Sequence, residues 1–419
     1  MIEFKKYKLG DIADIIVSTV DKKSKPGQKE VRLCNFVDVY RNWAITHDLY
    51  DDFLLATASD VEIERFSIRK GQVAFTKDSE TRDDIGIATY IAEDFDDVVL
   101  GYHTALVTPH EEIILGKYLN AFMHSKYILK YFEMNATGSG MRYTLSLETL
   151  NDIPVLVPSL DEQKKIGDFF SALDRKISLN RKANAELEAL AKQIYDYWFV
   201  QFDFPDANGR PYKSSGGKMV YDSTIKREIP EGWSSDRLGQ IVAEVGIGIS
   251  VSQRGDLPYT PMDQLPIRKM SFSSSLPTED AQSSLVKYSK HDILIGAMRV
   301  YFHRVCIAPF DGITRTTTLV LRPKQVDYYA YIYERLNADD FINYAIQMSN
   351  GSQQPMVSWS SLESMPVLVP SEDIVLKYKD LFIEIRDKVI SQNMENKQLS
   401  SMRDYILPLL MNGQASLNY

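Results

Sequence analysis

Cysteine is scarce in this chain: two in 419 residues, Cys34 and Cys306. Two isolated thiols exclude a disulfide framework and a cysteine metal set, and both are expected to be small buried side chains in a reducing cytoplasm. Long hydrophobic runs are missing too. No stretch approaches the ~18 apolar residues a membrane helix requires, and the start, MIEFKKYKLGDIADII, lacks the apolar core of a signal peptide. The six histidines (47, 103, 110, 124, 291 and 303) form no His-x-x-x-His pair and no His/Cys cluster, so no metal centre is expected. No Gly-x-x-x-x-Gly-Lys-Ser/Thr loop is present to cradle phosphates. Val245-Gly-Ile-Gly-Ile-Ser250 has two of the three glycines of a dinucleotide turn and reads as a turn or strand edge. The Asn/Asp-Pro-Pro-aromatic signature of adenine-N6 methyltransferases is also absent. With these motifs missing together, a non-catalytic chain is expected. The nearest candidate for nuclease chemistry, Asp174-Arg-Lys176, falls on a heptad-patterned helix where no pocket is expected.

Net positive charge is lacking as well. The formal charge is −9, which argues against a strongly basic, stand-alone nucleic-acid binder. The acid is unevenly spread. Residues 206–361 hold 17 Lys+Arg against 16 Asp+Glu, whereas residues 1–150 hold 18 against 24. The first-half excess gathers in Asp51-Asp52, Asp83-Asp84 and Asp94 to Asp97, so a neutral or basic local field elsewhere stays compatible with DNA.

What the chain does have is a repeat. Asp152-Ile-Pro-Val-Leu-Val-Pro-Ser159 recurs as Ser364-Met-Pro-Val-Leu-Val-Pro-Ser371, an offset of 212. Tyr7-Lys-Leu-Gly-Asp-Ile-Ala echoes Asp236-Arg-Leu-Gly-Gln-Ile-Val; His103-Thr-Ala-Leu-Val-Thr-Pro109 echoes Thr317-Thr-Leu-Val-Leu-Arg-Pro323; Gly138-Ser-Gly echoes Gly351-Ser. The period is too long for a solenoid. It predicts two copies of one domain-plus-helix unit with internal pseudo-two-fold symmetry, suited to a target with two half-sites. In the first copy, 71–76, 87–91 and 98–107 read as strands and 115–132 as a helix. In the second, 291–296, 304–308 and 316–321 read as strands and about 328–347 as a helix. The Gly/Ser/Pro-rich stretch 203–235 reads as a linker.

Each copy ends in a long 3.5-residue stripe. The first is Ile166, Phe170, Leu173, Ile177, Asn180, Asn184, Leu187, Ala191, Ile194 and Trp198. The second is Tyr378, Phe382, Ile385, Val389, Gln392, Asn396, Leu399, Arg403, Ile406 and Leu410. Both turn polar at the same two central layers. Antiparallel pairing about the midpoints places Asn180 opposite Asn396 and Asn184 opposite Gln392. Buried amides at seam positions cost stability and fix register. A 33-residue helix is roughly 50 Å long, enough to hold two domains apart. Pro408 predicts an end or kink near Tyr405.

Side chains suited to reading DNA fall in the predicted loops. In the first domain these are Lys22, Lys23, Lys25, Lys77, Ser79, Thr81, Arg82, Ser139, Arg142 and Tyr143. In the second they are Gln253, Arg254, Arg299, His303, Arg304, Arg315, Gln353 and Gln354. Arg pairs bidentately with guanine, and Gln with adenine, in the major groove.

At these residues the chain resembles the DNA-specificity subunits of type I restriction–modification systems. The resemblance runs along the whole chain and is carried by 147–166, with its Pro…Pro-x-x-x-Glu-Gln stretch, by Gly138-Ser-Gly and by Ala185-Glu-Leu-Glu-Ala-Leu190. The second copy departs from it, since Ser371-Glu-Asp-Ile-Val-Leu376 lacks the Glu-Gln pair. The resemblance implies an α+β chain with two tandem target-recognition domains, each followed by a long helix, the helices pairing as an antiparallel coiled coil. On that plan 1–150 is the first recognition domain, 151–202 the first helical spacer, 203–235 the linker, 236–361 the second recognition domain and 362–419 the second spacer. It further implies a bipartite DNA site with the helices setting the gap, docking of two methyltransferase subunits, and a restriction/translocase subunit. S-adenosylmethionine, ATP and Mg would sit on those partners and none on this chain. A type IIB-like specificity subunit would share this architecture, and a coiled-coil protein scaffold without DNA is the alternative from another class.

Overall fold

Each repeated Pro-Val-Leu-Val segment is a strand that closes its unit onto its own beginning. Pro154–Val157 pairs antiparallel with Lys5–Lys8, Lys8 opposite Pro154. Pro366–Val369 pairs with Ser234–Arg237, Arg237 opposite Pro366. The Leu-Gly that follows each opening strand starts a one-turn helix, Leu9–Ile12 or Leu238–Ile241. Glycine is required there by close approach. A Cβ on Gly10 would lie 2.4 Å from Asn151 Oδ1, and one on Gly239 would lie 2.9 Å from Glu363 Cβ.

The computed structural model describes residues 3–417. They divide into one unit of residues 3–178 with 399–417 and another of Leu179–Gln398. The first unit carries a five-stranded sheet in the order Ala13–Val17, Thr104–Pro109, Val73–Thr76, Ala88–Ile91, Ala44–Ile45. The second carries a four-stranded sheet in the order Val242–Glu244, Thr318–Pro323, Ile293–Gly296, Val305–Ile307. The first four strands follow one plan in both units. In Val73–Thr76, Ala88–Ile91 and Ile293–Gly296 every residue is buried, on both faces, which suits central strands. Further small sheets join Leu54–Ala58, Lys29–Cys34 and Val98–Leu100 in the first unit, and Ile247–Ile249, Leu285–Tyr288 and Gly312–Arg315 in the second.

The single helix expected over 115–132 is two, Gly116–Met123 and Lys126–Asn135. Ser125 between them accepts the Ile128 N–H and caps the second. The one expected over 328–347 is likewise split at Ala338 into Tyr329–Asn337 and Asp339–Gln347. The first helix of each pair uses a tyrosine in the same way. Tyr118 donates to the Leu156 carbonyl and Tyr331 to the Leu368 carbonyl, the latter at 2.7 Å. Both acceptors are the central leucine of the repeated strand.

The long helices are Leu160–Tyr195 and Glu372–Met411. The first gives way to a π turn over Asp196–Val200 before reaching Trp198. The second runs through Pro408, so of the end or kink expected near Tyr405 the end does not occur. Leu407, Leu410 and Met411 bury in the first unit's core beside Ile166 and Phe170, and that burial carries the helix past the missing N–H. Arg403, on the expected seam, lies 5.3 Å from the Trp43 ring centroid.

In the second unit the amide layers meet. Asn180 Nδ2 donates to Asn396 Oδ1 at 2.9 Å and to Glu395 Oε2 at 2.7 Å, and Gln392 Nε2 reaches Asn180 Oδ1 at 3.4 Å. Asn184 donates to Asn393 at 3.0 Å rather than pairing with Gln392. Amides are long enough to reach a flanking helix position, so the layer is diagonal. Tyr378, Phe382, Ile385 and Val389 bury around Ala191, with Leu187 and Ile194 packed against them. In the first unit Ile166 and Phe170 are buried, Leu173 and Ile406 pack against them, Ile177 is buried and Leu399 is half-buried.

The stretch 203–235, expected as a linker, is folded. Met219–Asp222 and Arg227–Pro230 form a hairpin, and Phe202, Phe204 and Trp233 are buried against one another.

Candidate functional site

In the first unit a cleft of about 990 Å³ is lined by residues that include Tyr40, Lys77, Asp78, Ser79, Thr81, Tyr102, His103, Arg142 and Tyr143. Its floor is a small sheet of Thr137–Ser139, Arg142–Thr144 and Asp78–Ser79, in which Ser139 faces Arg142 and Tyr143 faces Ser79. The structure therefore brings together the expected residues from 77–82 and 139–143, which are about 60 positions apart in sequence.

The cleft holds carboxylates, yet most are already paired. Asp78 Oδ1 accepts Lys77 Nζ at 2.8 Å, and Asp78 Oδ2 lies 2.6 Å from His103 Nδ1. Burial works against the charge on Asp78, but hydrogen bonds to Lys77, Thr144 and His103 outweigh it and hold the carboxyl below its ordinary value. Tyr40 donates to Asp84 Oδ2 at 2.8 Å, and that bond raises the phenol above its usual value. Lys77 is thus a positioner: it also donates to Thr144 Oγ1 at 3.1 Å. Arg82 lies 5.2 Å from the Tyr143 ring centroid. Arg142, Met141 and Glu80 are exposed, and among the described residues Arg142 and Glu80 have no side-chain hydrogen bond or ion pair. A free arginine, a free carboxylate and exposed aromatic rings can reach guanine, cytosine N4 and apolar base surface respectively. Lys22, Lys23 and Lys25 lie apart from this cleft, exposed on the 21–28 loop. That loop is tied down where Lys25 N–H donates to Thr57 Oγ1 at 2.7 Å.

The second unit treats its expected residues differently. His303 is 3 % exposed, sits at φ 54°, and places Nε2 2.9 Å from both the Asn337 carbonyl and Asn337 Oδ1. Arg304 donates to the carbonyls of Asp263 (2.9 Å) and Leu265. Arg254 donates to the Ala281 carbonyl at 2.9 Å, and Gln253 Oε1 accepts the Ser250 N–H at 3.0 Å. These four, expected as base readers, brace loops instead. Their residue types were suited to DNA, but carbonyls of neighbouring loops take up His303 and the two arginines, and the Ser250 N–H takes up the Gln253 oxygen. Arg299, at φ 52°, is half-buried, and its N–H donates to the Pro355 carbonyl at 2.7 Å. This bond ties the 299 turn to the 349–355 loop that exposes Gln353 and Gln354. Arg315 is exposed at the end of Gly312–Arg315. Tyr301 and Phe302, which the sequence reading did not single out, are exposed on the same 300–302 turn.

Two residues take positioning roles that the sequence reading did not assign, Gln163 having been quoted there only within its Glu-Gln pair. Gln163, at the start of the first long helix, is 1 % exposed. Its Oε1 accepts the Leu115 N–H at 2.8 Å, and its Nε2 donates to the Ile113 and Pro158 carbonyls at 2.9 and 3.0 Å. Glu188 accepts the Met270 N–H at 3.1 Å, joining that helix to the loop around Met270 in the second unit. Among the described residues no group of three or more His, Cys, Asp or Glu is placed to hold a metal ion, and no helix is long and apolar enough to cross a membrane. Both cysteines are buried, which pushes their thiols up.

Residues 1–189 match the family model described as the type I restriction modification DNA specificity domain. The chain is 23% identical over 477 aligned positions to the type I restriction enzyme HindI specificity subunit of Haemophilus influenzae, covering 99% of this chain and 100% of that one. It is 25% identical over 316 positions to the MjaIX specificity subunit of Methanocaldococcus jannaschii, covering 72% of this chain and 69% of that one. Its fold is similar to the crystal structure of a type I restriction–modification S subunit from M. genitalium, with a TM-score of 0.58 at 14% identity over 98% of this chain and 96% of that one.

Proposed function

The chain belongs to the family of type I restriction–modification DNA-specificity subunits, and from that premise we propose how its parts divide the work. Each recognition domain reads one half of a bipartite, gapped DNA sequence. The paired helices set the gap and dock two methyltransferase subunits, which a restriction/translocase subunit joins. The observation that carries this reading is the repeated plan: two units with the same strand order, each closed by the same Pro-Val-Leu-Val strand. Two readers of one design on one chain fit a target with two separate half-sites.

Helices of 36 and 40 residues supply rigid elements about 54 and 60 Å long at 1.5 Å per residue, and their amide layers fix one register. This chain is non-catalytic in our reading. S-adenosylmethionine, ATP and Mg belong to the partner subunits. Sharing phosphate neutralisation across the complex makes a charge of −9 tolerable.

The test is co-expression with the genomically adjacent methyltransferase in a host free of DNA methylation, followed by genome-wide mapping of N6-methyladenine. A two-part motif with a fixed gap, lost when this chain is omitted, is the expected result. A motif that persists without the chain would remove it from recognition. Absence of methylation with an active partner would favour a protein scaffold instead.

A further inference from the structure

We infer that His103 reads a base edge in the half-site served by the first unit, with Asp78 as its positioning residue. The inference rests on the functional reading above and goes beyond it by assigning one side chain to one contact. His103 ends the tight turn Gly101-Tyr102-His103 between the strands Val98–Leu100 and Thr104–Pro109. It is held at φ 73°, a left-handed conformation uncommon for a residue other than glycine and found disproportionately at functional sites. Its carbonyl accepts the Lys77 N–H at 3.0 Å, which fixes the turn against the cleft floor.

The side chain is half exposed and lines the cleft. Its Nδ1 lies 2.6 Å from Asp78 Oδ2, while Asp78 Oδ1 is taken by Lys77. A carboxylate has no proton to give, so Nδ1 carries the proton toward Asp78, and in its neutral form the ring presents the Nε2 lone pair. Among the described residues Nε2 has no partner. The Tyr102 ring, 3.9 Å away centroid to centroid, limits the orientations the imidazole can take. A fixed acceptor in a cleft that also carries a free Arg142 and exposed Met141 suits an exocyclic amino group, adenine N6 or cytosine N4, in the major groove. An imidazole needed only to close the turn would have no reason to be aimed by a half-buried carboxylate that Lys77 also holds. The repeat also supports a local reading role: Thr317 stands where His103 does in the matched segment, so the shared architecture does not require histidine there.

The experiment uses the full chain in complex with its methyltransferase and maps N6-methyladenine for His103→Asn, Asp78→Asn and Asp78→Ala beside the wild type. Asparagine tolerates the left-handed backbone; His103→Gln, closer in length, repeats the measurement if the Asn variant is unstable. The expected result for His103→Asn is an unchanged second half-site and gap, with one position of the other half-site relaxed. Disfavoured bases there rise about tenfold to a hundredfold in methylation rate, the range of one good base contact. Asp78→Ala relaxes the same position, whereas Asp78→Asn, which keeps an acceptor oxygen, restores most of the preference. An unchanged motif, or a uniform fall at every site with base preferences intact, would overturn the inference and leave the functional reading standing. A wild-type complex that yields no bipartite motif would bring down that reading and this inference together.

Discussion

Gln163 and Val375 occupy matching positions in the two copies, one offset of 212 apart, and they solve the same problem with opposite chemistry. Both stand in the first turn of a long helix and both are buried. In the first unit the amide satisfies three backbone groups of the segments it packs on. In the second, the side chain joins an apolar and aromatic core with Tyr378 and Phe382. Ala121 and Glu334 form a second such pair, placed alike after Tyr118 and Tyr331, again both buried. What the copies share, by contrast, is backbone geometry: the closing strand, the glycine that must lie close to its neighbour, and the tyrosine that bonds the strand's leucine carbonyl. The strand plan is thus held by main-chain requirements, and side chains around it have been free to diverge.

Exchanging the two solutions gives the largest expected effect on stability. Gln163→Val leaves the Leu115 N–H and two carbonyls short of partners, and about 2 kcal/mol should be lost. Val375→Gln buries an amide without partners and should cost a similar amount, roughly 2 kcal/mol. For units of this size each kcal/mol corresponds to a melting shift of about 2–4 °C, so calorimetry resolves both. Equal tolerance of the two swaps would mean that the helix starts are interchangeable after all.

A second contrast separates the units by pH. Burial pushes the Glu334 carboxyl up to about 8, with Asp196 and Glu188 adding to the rise and Lys192 opposing it. The folded state then holds a proton that the unfolded chain has released. This contribution is fully present below the ordinary carboxylate range and lost as pH rises through about 8. The second unit should therefore melt lower as pH is raised across that window, and Glu334→Gln should flatten the dependence. The first unit, with Ala121 in place of the acid, should not show this step. A wild-type profile matching that of Glu334→Gln would refute the assignment.

The smallest expected change is at the seam. Replacing Asn180 and Asn396 together by Leu should raise stability by about 1 kcal/mol, since buried amides cost more than packed leucines. It should also loosen the helix register, seen as heterogeneity in the recognised gap. An unchanged gap with undisturbed assembly would deny the amides their register role.

The repeat made the architecture legible because Pro-Val-Leu-Val-Pro and the 3.5-residue stripes are local patterns that survive divergence. Boundaries set by tertiary packing were not legible. Leu407, Leu410 and Met411 carry the last helix through Pro408, and Phe202, Phe204 and Trp233 anchor a stretch whose glycine, serine and proline content reads as a linker. The candidate site was half visible. Strand pairing joins 77–82 to 139–143 in one cleft, so residues nominated by type from two separate loops come together. For His303, Arg304 and Arg254 backbone groups distant in sequence occupy the side chains, and Gln253 caps Ser250 three residues before it. The contacts of His103 and Gln163 were not legible for the converse reason: their partners, Asp78 and the 113–115 segment, are connected to them by no spacing rule.

The central claim is that two independently readable units stand on one shared plan. Its most direct test is to replace 236–361 by the corresponding domain of another family member and compare N6-methyladenine maps before and after. The account predicts that one half-site changes while the other half-site and the gap stay as they were. A change in both half-sites would contradict it, because recognition would then belong to the chain as a whole rather than to its units.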